Sequence, residues 1–338
     1  MTITTPPSSD WLCLHSADNQ KDDSYLSLSL DNRGLAYGDG FFTTMGVIDG
    51  KVLWLDYHHQ RLVSHAKALE LELDSSSLIS ELQRHAQRLG QGMLKLIVTR
   101  AAQAVRGYGY ASSESGSACE VWLKSSVMTL TTDRQLHLTD GRFVSMQPAR
   151  AAVCLSSKIA CLPPPLAGLK SLNRLDTVLA SAELQRIKAD LLKDKSSDSD
   201  TRLDIGEGLV RDMSGHWVEG TMSNVFYQLL EEPTSLHISE SHPLKSTDLP
   251  NANGNTTDYL TKGQWYTPPL TQSGVAGVMR QVIIDALSST ENPVIIRSLQ
   301  DEDLPCIKRL FFCNALRGMM PMTGLTLLSG DIVDFKSV

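Results

Sequence analysis

The sequence predicts an α+β protein of two domains. At 338 residues, the chain is too long for one ordinary hydrophobic core and too short for three. An apolar fraction of 41% and a charged fraction of 20% are typical of globular proteins, and no apolar run is long enough to span a membrane. In the first third, segments with the period of a strand alternate with segments with the period of a helix. We therefore expect a small N-terminal α+β domain followed by a larger domain.

The small domain is expected to span residues 1–127. Tyr25 to Leu30 alternates polar and apolar residues, while Met93 to Arg100 and Cys119 to Leu123 are strand-like apolar runs. Trp54 to Leu71 repeats apolar residues at helical spacing. These patterns predict strands and at least one amphipathic helix in this domain.

The larger domain is expected to span residues 141–338, after a polar, turn-prone linker at 128–140. Its predicted elements are a helix from about Leu172 to Leu192, strands near Gly208 to Arg211 and Asn224 to Leu230, a hairpin around Gly215, and a helix from about Ala276 to Leu287. Two stretches, Lys193 to Thr201 and Glu231 to Gly263, have little periodicity and are expected to be inserted surface loops.

Charge and the N-terminus restrict the partners and the compartment. A net charge of −7 argues against a nucleic-acid or anionic-membrane surface, so we expect a small-molecule substrate. Met1 to Asp10 contains no basic residue and no apolar run, so the cytoplasm is the expected compartment. The six cysteines are scattered without a C-x-x-C pair, and we interpret them as reduced.

Strong catalytic motifs are missing from the sequence. It has no H-E-x-x-H, no phosphate-binding G-x-x-x-x-G-K-[ST], no G-x-S-x-G and no G-x-G-x-x-G after a strand. The corresponding zinc, nucleotide, serine-hydrolase and dinucleotide chemistries are therefore not expected, and no metal site is predicted.

Three dispersed segments remain. Lys170 follows a proline-rich turn and precedes a predicted helix, a position in which most lysines are simply solvated. Glu219 opens the run E-G-T-M-S-N downstream of the predicted hairpin. Val278 and Met279 open a predicted helix, where unpaired backbone N–H groups can bind a phosphate. Each segment taken alone is interpreted as an ordinary turn followed by an ordinary helix.

Taken in order, these segments resemble the fold-type IV pyridoxal-phosphate enzymes, which include branched-chain aminotransferases, D-amino acid aminotransferases and aminodeoxychorismate lyases. The resemblance runs from about Asp31 to Pro321 and is interrupted by the two insertions. It implies a small α/β domain, a larger domain with a β-barrel-like core, pyridoxal 5′-phosphate as cofactor, and a homodimer.

The resemblance also implies roles for individual residues. His58 to Leu62 is similar to the family motif H-x-x-R-L, whose arginine binds the cofactor phosphate. Lys170 matches the lysine that carries the cofactor and is the implied catalytic residue, and Glu219 matches the carboxylate that pairs with the pyridine nitrogen. The implied cofactor-binding residues are Arg61, Lys170, Glu219, Ser223, Asn224, Val278 and Met279.

Within the family the closer likeness is to the lyases. It rests on Tyr37 to Thr44, Arg106-Gly107-Tyr108, Leu169 to Leu175 and above all Asn314-Ala315, where aminotransferases usually carry small hydroxyl residues or glycine. One position departs: lyases often have an arginine where Gly46 stands, so Arg106 becomes the better candidate for the substrate's carboxylates. The implied substrate-binding residues are Thr43, Arg106, Tyr108 and Asn314.

The implied activity is a β-elimination that gives pyruvate and 4-aminobenzoate for folate biosynthesis, with Lys170 as base. An aminotransferase for branched-chain or D-amino acids shares Lys170, Glu219 and Arg61 and remains open, as does a non-catalytic relative retained for protein interaction. We expect His58 to be a buried, hydrogen-bonded histidine and Cys313 an inert buried thiol.

Overall fold

The computed structural model describes residues 11–15, 28–130, 134–193, 204–230 and 258–335. The chain divides into two compact units: the first contains residues 1–131 and 163–174, and the second contains residues 132–162 and 175–338. Within the described ranges, no helix is both long and apolar enough to cross a membrane.

The first unit is a sheet covered on one face by helices. Its described elements are β1 (Trp11–His15), α1 (Arg33–Tyr37), β2 (Gly40–Ile48), β3 (Lys51–Val52), α2 (Leu55–Ala68), α3 (Ser75–Leu89), β4 (Gly92–Arg100) and β5 (Cys119–Val127). The strands pair antiparallel in the order β1-β5-β4-β2-β3. Side chains alternate between the two faces of a strand, and the buried set packs with α2 and α3 into one apolar core.

Residues 163–174 are grouped with this first unit, whereas the sequence placed them in the larger domain. The reason is backbone pairing: the N–H of Phe42 donates to the carbonyl of Lys170 at 3.0 Å, and the N–H of Leu172 donates to the carbonyl of Gly40 at 3.0 Å. A Cβ on Gly40 would overlap the carbonyl oxygen of Val98 and lie 3.0 Å from Leu172 Cδ1, so this close approach requires glycine.

The second unit contains the remaining described elements. They are β6 (Gln135–His137), β7 (Phe143–Ser145), β8 (Arg150–Ile159), α4 (Leu175–Lys193), β9 (Ile205–Asp212), β10 (Trp217–Gly220), β11 (Asn224–Leu229), α5 (Asp258–Thr261), β12 (Tyr266–Thr267), α6 (Val278–Leu287), β13 (Ile295–Ile296), a 3₁₀ helix (Asp301–Cys306), β14 (Ile307–Asn314), β15 (Gly318–Thr326) and β16 (Ile332–Asp334).

A closed sheet forms the centre of the second unit. The strand order β10-β9-β8-β15-β14-β11 returns to β10 through the pairing of Glu219 with Asn224, so the ring has no free edge there. β8 runs parallel to both β9 and β15. One apolar core includes Leu209, Trp217, Val225, Tyr227, Phe312 and Met320. The expectation of a small α+β unit and a larger unit with a barrel-like core is confirmed.

Most predicted elements occur with shifted ends. The helix expected from Leu172 begins at Leu175, because Leu172 is held in backbone pairing with Gly40. The prediction of a strand at Tyr25 to Leu30 is wrong for residues 28–30, which do not form a strand. Residues 25–27 lie outside the described residues. The hairpin at Gly215 is confirmed by the β9–β10 pairing.

Most of the two predicted insertions lies outside the described residues. For the first, only Lys193 is described, and it ends α4. For the second, the description resumes at Asp258. Asp258–Thr261 forms a short helix rather than the expected loop.

Candidate active site

Lys170 has a fixed backbone in the first unit. Its carbonyl accepts the N–H of Phe42, and its own N–H donates to Nε2 of His65 at 2.9 Å. Its ammonium lies 4.6 Å from the centre of the Phe42 ring, within range of a cation–π contact. Both polar backbone groups of the predicted catalytic lysine are therefore fixed by neighbours within the same unit.

His65 is held in its neutral form. Burial, followed by the charges of Arg61 and Lys170, lowers the pKa of His65 to about 3. Since Nε2 accepts the Lys170 N–H, the ring proton resides on Nδ1, which lies 3.3 Å from Ser64 Oγ. The sequence analysis did not select this histidine; its position four residues after Arg61, on the same helix face, was the available signal.

Arg61 lies in a buried polar network with Thr43 and His58. Its Nη1 donates to Thr43 Oγ1 at 3.4 Å, and Thr43 Oγ1 lies 2.8 Å from Nδ1 of His58. Burial lowers the pKa of Arg61 to about 10; burial, and then the charge of Arg61, lowers the pKa of His58 to about 3. The expectation of a buried, hydrogen-bonded His58 is confirmed. Thr43 is fully buried, which does not favour its predicted substrate contact.

Lys95 was missed by the sequence analysis. It lies on β4 with its ammonium 5.4 Å from the centre of the Phe42 ring, so one aromatic ring contacts the ammonium groups of both Lys95 and Lys170. The alternation of β2 places Thr44 on the face of Phe42 and Thr43 on the opposite face. The overlooked signal was a lone lysine in the apolar strand M-L-K-L-I-V.

The loop that carries Arg106 and Tyr108 is anchored through its backbone. Nε of Arg33 and Nε of Arg100 each donate to Oδ2 of Asp39 at 2.9 Å, and Nη2 of Arg33 donates to the carbonyl of Tyr108 at 3.2 Å. The side chains of Arg106 and Tyr108 are exposed, Tyr108 to 84%. Their assignment to the substrate stays a prediction.

Gly46 lies against two leucines. A Cβ there would be 3.1 Å from Cδ1 of Leu53 and 3.1 Å from Cδ1 of Leu130. The strand position at which lyases often have an arginine is therefore covered by apolar side chains in this chain.

Glu219 is buried in the second unit and held by defined donors. Its Oε2 accepts the N–H of Val275 at 2.8 Å and Nδ2 of Asn224 at 3.4 Å, and Asn224 Nδ2 also donates to the carbonyl of Val275 at 2.8 Å. A Cβ on Gly277 would overlap Oδ1 of Asn224. The segment 274–277 can therefore approach this pair only with glycine at residue 277.

The N-terminus of α6 fits an anion. The first N–H groups of a helix have no partner within the helix, and the N-cap Gly277 has no side chain to cap them. Val278 and Met279 occupy the first two helical positions, as predicted. Arg280, next in the chain, donates to Thr267 Oγ1 at 3.2 Å and to the carbonyl of Pro268 at 2.9 Å. Its guanidinium is therefore hydrogen-bonded within the second unit.

Ser223 and Asn314 are engaged in turns of the second unit. Ser223 Oγ donates to Oε2 of Glu207 at 2.7 Å. Oδ1 of Asn314 accepts the N–H groups of Leu316 at 3.1 Å and Arg317 at 2.8 Å, which shapes the turn after β14. Their predicted contacts with cofactor and substrate stay predictions.

The residues present fit pyridoxal phosphate. The cofactor needs a lysine amine for its aldehyde, cationic or N–H donors for its phosphate, and a carboxylate for its ring nitrogen. The first unit supplies Lys170 and the buried guanidinium of Arg61, and the second supplies the uncapped N-terminus of α6 and the buried Glu219. Each unit thus contains groups of the kind that pyridoxal-phosphate enzymes use.

Comparison with known proteins gives the family. Residues 40–325 match the model of the class IV amino-transferases, and the chain belongs to this family. The family is pyridoxal-phosphate-dependent, and a solved relative, a hypothetical aminotransferase from Mycobacterium tuberculosis, is a cofactor-bound form. The cofactor expectation is confirmed.

Individual relatives include both lyases and aminotransferases. The structure of 4-amino-4-deoxychorismate lyase from Pseudomonas aeruginosa is similar with a TM-score of 0.64 and 30% identity, covering 89% of this chain and 88% of that chain. Aminodeoxychorismate lyase from Vibrio harveyi is 22% identical over 88% of this chain and 87% of that protein. Escherichia coli branched-chain amino acid aminotransferase shares the fold, with a TM-score of 0.59, 17% identity, and coverage of 88% of this chain and 81% of that chain.

Proposed function

We propose that this chain is a 4-amino-4-deoxychorismate lyase, which releases pyruvate and leaves 4-aminobenzoate. The observation that carries the cofactor chemistry is the position of Lys170, whose backbone is fixed by Phe42 and His65. The likeness to the Pseudomonas aeruginosa lyase, at 30% identity over 89% of the chain, supports the choice of a lyase.

Pyridoxal phosphate, when bound, supplies an aldehyde that captures a primary amine and a ring that accepts electrons from the neighbouring carbon. Arg61 and the N–H groups of Val278 and Met279 would bind the phosphate. The Glu219 carboxylate, whose orientation is fixed by Val275 and Asn224, would accept a hydrogen bond from the protonated ring nitrogen. These assignments follow the family motif at each position.

Lys170 would do the proton transfers. Its Nζ would hold the cofactor's aldehyde and, as a neutral amine, would take the proton from the substrate carbon that bears nitrogen. The same Nζ would then deliver that proton to the enolpyruvate group as its C–O bond to the ring breaks. The product ring is aromatic, which makes the step hard to reverse.

Lys95 would hold a substrate carboxylate. Its ammonium contacts the same Phe42 ring as Lys170, on the sheet face opposite the helices, so it brings positive charge to the face that bears the catalytic amine. Gly46 cannot supply that charge. Arg106, on the loop anchored by Arg33, is the second candidate for a carboxylate.

Product analysis tests the reaction. Incubation with aminodeoxychorismate and no keto acid is expected to yield pyruvate and 4-aminobenzoate in equal amounts. An aminotransferase shares the cofactor residues and would instead need a keto acid; glutamate formed from 2-oxoglutarate, with no pyruvate in its absence, would refute the lyase.

The visible spectrum tests the cofactor lysine. Purified protein with pyridoxal phosphate is expected to show a yellow band that Lys170→Ala abolishes and Lys67→Ala, an exposed lysine on α2, retains. Protein that gains no band with added cofactor would contradict the assignment. The homodimer expected from the family and the cytoplasmic location stay predictions.

A further inference from the structure

The turn between β10 and β11 carries two groups assigned to the cofactor. Glu219 stands at its start and Asn224 at its end, and the two are ladder partners. The turn is closed by a bond from the N–H of Gly220 to the carbonyl of Ser223 at 2.6 Å. The directions of both side chains therefore depend on the conformation of residues 220–223.

Glu207, on the neighbouring strand β9, binds the inner side of this turn. Its Oε1 accepts the backbone N–H of Thr221 at 3.1 Å and Thr221 Oγ1 at 2.6 Å, and its Oε2 accepts Ser223 Oγ at 2.7 Å. All three residues are buried. The carboxylate of Glu207 thus holds two of the four turn residues, Thr221 and Ser223, against strand β9.

The turn packs closely against Glu207. A Cβ on Gly220 would overlap Ser223 Oγ and lie 2.9 Å from Cγ of Glu207, so the turn rests directly on this side chain. A carboxylate offers acceptors on both oxygens, whereas an amide offers one acceptor oxygen and a donor. The set of donors around Glu207 is therefore matched to a carboxylate.

We propose that Glu207 is a positioning residue for Glu219. By fixing Thr221 and Ser223, it fixes the strand end at which Glu219 accepts the Val275 N–H, and with it the carboxylate meant for the cofactor's ring nitrogen. This inference rests on the proposed cofactor role of Glu219. Glu207 acts through Thr221 and Ser223, so the proposed role does not require it to contact the cofactor.

The test compares full-length Glu207→Ala, Glu207→Gln and Glu219→Gln with the wild type. The measurements are the Kd for pyridoxal phosphate by absorbance titration, the pH dependence of the visible band, and the thermal midpoint of the apoprotein. Glu183→Ala is the matched control, because Glu183 also accepts hydroxyl and backbone donors, those of Ser156 and Ser157, but from α4.

We expect Glu207→Ala to raise the Kd by at least about 10-fold, the effect of losing one hydrogen bond to a charged group. The visible band of Glu207→Ala should change with pH in the same way as the band of Glu219→Gln. The pH dependence of Glu207→Gln should lie between those of Glu207→Ala and the wild type, and that of Glu183→Ala should equal the wild type. A loss of stability alone would lower the thermal midpoint without moving the band. If Glu207→Ala does not fold, Glu207→Gln and Thr221→Val decide by the same measurements.

The outcomes separate the two proposals. A wild-type protein that binds no cofactor, or a Glu219→Gln band identical to the wild type, refutes the proposed roles at the site and this inference with them. A normal wild type and an altered Glu219→Gln, with Glu207→Gln and Thr221→Val both at wild-type Kd and band, overturn the role of Glu207 alone.

Discussion

The backbone N–H of Lys170 donates to Nε2 of His65 across 2.9 Å, and this bond requires a neutral imidazole. In a protonated ring Nε2 carries a hydrogen, so it would face the Lys170 N–H as a second donor and could not accept its hydrogen bond. Burial and the positive charges of Arg61 and Lys170 lower the pKa of His65 to about 3, so the acceptor is retained near neutral pH. The cations of the site thus help to preserve the hydrogen bond that positions its lysine.

Substitution of His65 tests this bond. His65→Ala leaves the Lys170 N–H without its acceptor and is expected to lower the free energy of unfolding by about 1–3 kcal/mol beyond the loss of packing. His65→Gln, whose amide oxygen can reach the position of Nε2, should recover part of that loss. Urea denaturation at neutral pH measures both; equal losses in the two variants would show that the bond contributes nothing.

Acid should destabilise the protein through His58 and His65. Both have a folded pKa of about 3 against an ordinary value of 6.5, so the unfolded chain binds more protons between these values. Stability is therefore full above about pH 6.5 and falls as the pH decreases towards 3, by several kcal/mol in order of magnitude.

The pH dependence has a matched control. His65→Gln should flatten the decline in the free energy of unfolding measured by urea denaturation between pH 7 and about pH 4, since one of the two contributions is removed. His59→Gln, on the same helix and half-buried, is the matched substitution with which the slope of His65→Gln is compared. An identical slope in His65→Gln and wild type would contradict the assignment of the decline to His65.

Local patterns in the sequence predicted helices α2 and α6 and strands β4, β5, β9 and β11, because periodicity is a property of short segments. The family motifs predicted Lys170, and its catalytic role stays a prediction. That this segment pairs with β2 was not predictable, since Phe42 and Lys170 are far apart in the chain and the bond joins backbone atoms. Lys95 was missed for a related reason: its proximity to Phe42 appears only once β2 and β4 are paired in register.

Thr43 should matter for folding rather than for substrate binding. Thr43→Val keeps the shape but removes the hydroxyl that lies between Arg61 and His58, so Nδ1 of His58 loses its partner. In the described part of the chain, Nε2 of that ring already lacks one. We expect a loss of about 1–3 kcal/mol in the free energy of unfolding, largely restored in Thr43→Ser. A raised KM for aminodeoxychorismate with unchanged stability would support the substrate contact instead.

Gly277 and Asn224 should be coupled. Gly277→Ala places a methyl group on Oδ1 of Asn224 and is expected to reduce stability and to weaken cofactor binding, because Asn224 is displaced from Glu219 and Val275. In an Asn224→Ala background the same substitution meets no oxygen, so its cost in the free energy of unfolding should be smaller by about 0.5–3 kcal/mol. Additive costs in the double-mutant cycle would contradict the steric explanation.

Lys95 offers the sharpest test of how the substrate is held. If its ammonium binds a carboxylate, Lys95→Gln should raise the KM for aminodeoxychorismate by about 10-fold or more, the effect of one charge-assisted hydrogen bond, with a smaller change in kcat. The cofactor band should persist, because Lys170 and Arg61 are untouched. Lys124 is the control: it is the ladder partner of Lys95 on β5, and both ammonium groups lie 6.0 Å from the centre of the Trp11 ring, whereas the contact with Phe42 is made by Lys95.

Lys124→Gln removes the same charge from the same sheet but from the next strand, farther from Phe42 in the strand order. If only the overall field of the sheet matters, both substitutions should raise KM equally, and added salt should weaken both effects together. If Lys95 contacts the substrate, its effect should exceed that of Lys124→Gln several-fold and persist at high salt, because a contact shielded from solvent is screened less than a distant charge. Steady-state kinetics of the two variants at low and high ionic strength distinguish these cases.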